Sequence, residues 1–95
     1  MLYVMICEDK PDSEALRLAN RADHLEWVGG KTAMIRLAGP MLSDDGEHMR
    51  GSLFIIQAES ADAVRQFNGE DPYTRAGLWG KVTIRPFRQV LPADS

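Results

Sequence analysis

His24, within Arg21-Ala22-Asp23-His24-Leu25, and Asp71, within Asp71-Pro72-Tyr73, are the residues of this chain best suited to chemistry. An imidazole titrates near neutral pH, so it gives or accepts a proton readily, and a carboxylate beside it can fix its orientation. Pro72 disfavours a helical conformation for the residue before it, so the Asp71 carboxylate is expected on a turn. His24 falls inside a helical pattern, where its neighbours fix its place. A rigid imidazole and a turn carboxylate can form a proton-transfer couple. They can equally make a purely structural hydrogen bond, and their separation along the chain leaves both readings open.

Other side chains are candidates for the same site. Arg21 lies three residues before His24 and shares its helix face, where a guanidinium can hold a substrate carboxylate or phenolate in a fork, or can form an ordinary surface ion pair. Tyr73 and Trp79 can supply an aromatic wall with a polar tip, or can simply pack. Gly39-Pro40 and Gly77 are read as residues that shape the backbone. Asp44-Asp45-Gly46-Glu47-His48 gathers oxygen and imidazole groups without the spacing of a calcium loop or a zinc site, so a solvated loop is expected and no metal. The chain has no phosphate-binding glycine loop, dinucleotide fingerprint or serine nucleophile elbow, and no cofactor is expected.

The elements that must position these residues follow from hydrophobic periodicity. Leu2 to Cys7 is an unbroken apolar run ending in Glu8-Asp9-Lys10-Pro11-Asp12, as in a strand buried on both faces and followed by a turn. From Ser13 the period changes, with Ala15, Leu18, Ala22, Leu25 and Val28 at helical spacing until Gly29-Gly30. Ala33 to Ala38 reads as a second strand broken by Gly39-Pro40, and Gly51 to Ile56 as a third. Ser60 is a plausible N-cap for a second helix whose inward stripe is Ala61, Val64 and Phe67, with Gly69 ending it. Val82 and Ile84 alternate with Lys81, Thr83 and Arg85 in a fourth strand.

The order β-α-β-β-α-β predicts an α+β, ferredoxin-like sheet with both helices on one side. Leu2 to Cys7 and Leu53-Phe54-Ile55-Ile56 place apolar residues on both sheet faces. The second face is therefore expected to be covered by a second copy of the chain, a homodimer formed face to face, the alternative being cover by long loops.

The chain of 95 residues, 44% hydrophobic, fits a single domain over 1–95, with 91–95 expected as a loose tail. A formal net charge of −3 and mixed charges leave no basic stripe, which argues against nucleic acid as a partner. The opening apolar run is too short to span a membrane and lacks the features of a signal peptide, so Met1 is read as the natural start. The single cysteine, Cys7, lies in that run and is expected to pack as a small hydrophobe, which suits a reducing, cytoplasmic location.

Several short elements in this order resemble the YciI-like (YCII-related) proteins: Arg21-x-x-His24-Leu25, Leu37-Ala38-Gly39-Pro40, Gly51-Ser52-Leu53, Asp71-Pro72-Tyr73, Ala76-Gly77-Leu78 and Ile84-Arg85-Pro86-Phe87. The resemblance implies a ferredoxin-like domain that pairs as a dimeric α+β barrel. It also implies an active-site histidine and aspartate, carried here by His24 and Asp71, with Asp71 bonding one ring nitrogen while the other meets a substrate. One branch of the family removes chloride from a chlorinated hydroxyhydroquinone. The expectation is a cofactor-independent lyase or isomerase acting on a small aromatic or anionic molecule, with Arg21, Tyr73 and Trp79 as substrate-binding residues. The alternative is a non-catalytic small-molecule-binding or accessory dimer.

Overall fold

The computed structural model describes residues 1–93, so of the expected tail Asp94 and Ser95 lie outside the described residues. The elements run β1 (Leu2–Asp9), α1 (Glu14–Gly29), β2 (Ile35–Leu42), β3 (Met49–Gln57), α2 (Ala61–Glu70), α3 (Pro72–Arg75) and β4 (Trp79–Phe87). The strands form one antiparallel sheet in the order β2-β3-β1-β4, a ferredoxin-like α+β fold. The expected pattern gains only α3, a single turn of helix that follows Asp71 directly.

Register explains how the sheet uses both faces. Tyr3, Met5 and Cys7 of β1 stand opposite Ile56, Phe54 and Ser52 of β3 and point to the helices, where they meet Val64 and Phe67 of α2. Val4 and Ile6 alternate to the other face, beside Ile55 and Leu53. That second face keeps Leu37 60% and Phe87 41% exposed at its edges, so the uncovered apolar sheet expected from the sequence is present. Gly51 belongs to the same strand pair: a Cβ there would lie 2.5 Å from the Cys7 carbonyl oxygen, which leaves room for glycine alone.

Two expectations change. Gly39-Pro40 does not break the second strand, because β2 continues through both to Leu42, with Pro40 opposite Ser52. β2 is an edge strand, and there a proline costs no ladder bond on its free side. The apolar repeat of α1 marks the helix but not the face it buries. Arg17 and His24 are buried, whereas Leu18 and Leu25 are 56% and 48% exposed. Helix α2 follows its pattern: Ser60 caps it by accepting from the Ala63 amide, Val64 and Phe67 face the core, and it runs through Gly69 to Glu70. No helix among the described residues is long and apolar enough to cross a membrane.

Candidate active site

The site forms where α1 faces the junction of α2 and α3. Asp71 ends α2 and caps α3, held extended at φ −64° and ψ 127° by the proline after it. Its Oδ1 accepts from the Tyr73 amide at 2.9 Å and lies 2.8 Å from His24 Nδ1. One oxygen thus both holds the turn and pairs with His24. Both side chains are buried, and Asp71 Oδ2 has no partner among the described residues. A carboxylate only accepts, so Nδ1 carries the proton and Nε2 is the ring atom left for the cavity. Nothing among the described residues bonds Nε2.

Tyr73 lies against the imidazole, ring centroids 4.0 Å apart and planes within 15°. Its own position is fixed from behind. Trp79 meets it edge-on at 5.6 Å, the Trp79 indole donates to Thr74 Oγ1 at 2.7 Å, and Thr74 donates to Asn68 at 3.1 Å. Gly77, at φ +76°, permits the turn that brings β4 back from α3. Burial pushes the Tyr73 phenol above its usual value, against the pull of Arg17 and Arg21, so it stays protonated near neutral pH.

Arg17, absent from the sequence-based candidates, is the most buried cation of the site. It shares a face of α1 with His24 two turns away. Nε and Nη2 donate to the two oxygens of Asp9 at 2.8 and 2.9 Å, Nη2 also donates to Ser52 Oγ at 3.0 Å, and the guanidinium lies 4.7 Å from the Tyr73 ring centroid. Burial disfavours its charge, yet the bonds and charge of Asp9 outweigh that and hold it firmly protonated. The spacing of Arg17 to His24 was the available signal, and it was hidden because an arginine inside a helix usually reads as surface.

A cavity of about 70 Å³ opens between α1 and the β2–β3 edge, lined by Arg17, Arg21, His24, Ser52, Phe54 and Tyr73 together with Leu25, Gly39 and Pro40. Thus His24, Arg21 and Tyr73 come together here, with Arg21 exposed at the rim. Asp71 stands behind His24, and Trp79 behind Tyr73 rather than on the cavity wall. The loop residue His48 instead faces Glu14, 2.9 Å away on the surface.

Cys7 lies beneath the site, and its thiol is pushed up to about 12, first by burial and then by the charge of Asp71. An unfolded thiol ionises near 9.0, so the buried thiol supports the fold fully below that pH and loses this support as pH rises toward about 12. Wild type is expected to lose up to about 4 kcal/mol relative to Cys7→Ala across that window. Urea unfolding of both proteins at pH 8 and pH 11 checks it; a constant difference would exclude the effect.

The YCII-related domain family matches residues 1–88 of the chain. An uncharacterized protein of Haemophilus influenzae is 35% identical over 98 residues, covering 96% of this chain and all (100%) of that protein. Protein YciI of Escherichia coli O6:H1 is 34% identical with the same coverage, 96% and 100%. Among solved structures, 5-chloro-2-hydroxyhydroquinone dehydrochlorinase from Burkholderia phenoliruptrix, in complex with 2,5-dihydroxybenzoquinone, superposes with a TM-score of 0.88 at 34% identity, covering 99% of this chain and 100% of that one. An antibiotic biosynthesis monooxygenase at TM-score 0.55 and 14% identity, covering 95% of this chain and 99% of the other, shares the fold.

Proposed function

Because this chain belongs to the YCII-related domain family, we propose that the cavity at His24 is the active site of a cofactor-independent acid–base enzyme acting on a small aromatic or anionic metabolite. The observation that carries this reading is the 2.8 Å contact of His24 Nδ1 with buried Asp71, which leaves Nε2 as a proton acceptor at the cavity. Asp71 orients the ring and its charge favours the imidazolium formed on proton transfer. Arg21 at the rim attracts an anion, and Tyr73 fixes the imidazole plane.

The reaction class that fits is elimination. In a chlorinated polyhydroxybenzene a proton first moves from one hydroxyl to the ring carbon that bears chlorine, giving the keto tautomer. His24 then takes the proton of a second hydroxyl, its O–H electrons form the new C=O, the ring double bond shifts, and chloride departs with the C–Cl pair, so the net loss is one HCl. The similarity to the dehydrochlorinase supports this class. The test is chloride release from 5-chloro-2-hydroxyhydroquinone by the purified protein, corrected for the spontaneous rate. Catalysed release supports elimination; none, with that compound bound, limits the acid–base reading to another substrate.

The working form is a homodimer in a reducing compartment. Val4, Ile6, Leu53 and Leu37 give the open sheet face the apolar surface that a second sheet would bury. Sedimentation at micromolar concentration is expected to give twice the mass of one chain, and Leu37→Glu is expected to shift it to a monomer. A wild-type monomer would overturn the assignment.

A further inference from the structure

We propose that Ser52 is an oxyanion-binding residue of this cavity, presenting its hydroxyl proton to a phenolate, enolate or carboxylate oxygen of the bound molecule. This assignment rests on the cavity at His24 being the substrate site.

Hydrogen-bond direction carries it. A serine hydroxyl has one proton to donate and two lone pairs. Ser52, 3% exposed, accepts from Arg17 Nη2 at 3.0 Å, so its own proton must be directed elsewhere. No acceptor for that proton is present among the described residues, and Ser52 lines the cavity that His24 also lines. A buried donor left without an acceptor is costly, and a ligand oxygen in the cavity would satisfy it.

Arg17 makes this donor strong without touching the ligand through the same atoms. Asp9 takes Nε and one proton of Nη2, and the other Nη2 proton goes to Ser52. A hydroxyl that accepts from a guanidinium is polarised toward giving its own proton. The remaining walls limit the class of ligand. Leu25, Val28 and Phe54 are apolar, and about 70 Å³ admits only a small ligand, with part of any ring left at the cavity mouth. An oxyanion on a single ring meets Ser52 at one edge and His24 at another, with apolar contact between.

The test compares two ring probes of similar size, 4-nitrophenolate and neutral nitrobenzene, titrated calorimetrically into wild type, Ser52→Ala and Ser52→Thr. Wild type is expected to prefer the phenolate. The alanine variant should bind it about 10-fold more weakly while nitrobenzene changes less than about 2-fold, the loss of one hydrogen bond to a charged acceptor. The threonine variant, which keeps the hydroxyl, should keep the preference. Equal weakening of both probes, an unchanged phenolate affinity in Ser52→Ala, or a wild type that binds both equally or neither would overturn the assignment. Should the alanine variant fail to fold, loss of the preference in a folded Ser52→Thr overturns it too. Both probes are inert, so the result is independent of turnover: intact selectivity in Ser52→Ala beside an inactive His24→Gln removes Ser52 from its role and leaves the acid–base reading in place.

Discussion

His24→Gln is expected to lower kcat for the elimination by about 100- to 10,000-fold, the range that a positioned general base contributes. Glutamine keeps a polar side chain able to donate to Asp71 Oδ1, so the buried carboxylate keeps a partner and the fold is spared. It has no nitrogen able to take up a proton at neutral pH. Asp71→Asn is the complementary change. Its amide oxygen still accepts from the Tyr73 amide and from His24 Nδ1, so the geometry persists, but the negative charge opposite the developing imidazolium is gone. A drop in kcat with KM nearly unchanged in both variants fits the proposed roles. Full turnover in both would exclude them, and ligand binding that survives in a protein with no turnover at all would favour a binding module.

Arg17→Ala is expected to be the most destabilising single change at the site, by about 3–5 kcal/mol, because it strips a buried carboxylate of its partner. The Arg17 and Asp9 side chains are only 2% and 5% exposed, so water cannot compensate. The change also removes the guanidinium packed over Tyr73 and Trp79. For a chain of this size the loss corresponds to a fall in Tm on the order of 20 °C. Replacing both partners, Arg17→Met with Asp9→Leu, should recover most of that stability, since an apolar pair of similar volume no longer leaves a charge uncompensated. Thermal unfolding followed by circular dichroism checks both. A fall of less than about 3 °C in Arg17→Ala would mean that the pair is solvated and contributes as a surface bridge does.

Leu2 to Cys7, the helix starting at Ser13, the cap at Ser60 and the proline after Asp71 are local signals, and each structure they predict is present. Periodicity and capping act within a few residues, which is why the element order and the extended conformation of Asp71 could be read directly. The 47-residue interval between His24 and Asp71 has no such local signature; their pairing was implied by family resemblance, and the contact itself exists only because α1 packs against α3. The buried face of α1 was illegible for a related reason. Its fully buried positions are Arg17 and His24, polar groups that become acceptable inside only when Asp9, Ser52 and Asp71, from three other places in the chain, meet them. The proline in β2 read as a stop because its tolerance depends on lying at a sheet edge, a property of strand order. The sequence by itself thus determined the elements and the turn that carries Asp71. Only the tertiary structure decided which polar side chains share a cavity, because burying a charge or a hydroxyl is governed by partners distant in the chain.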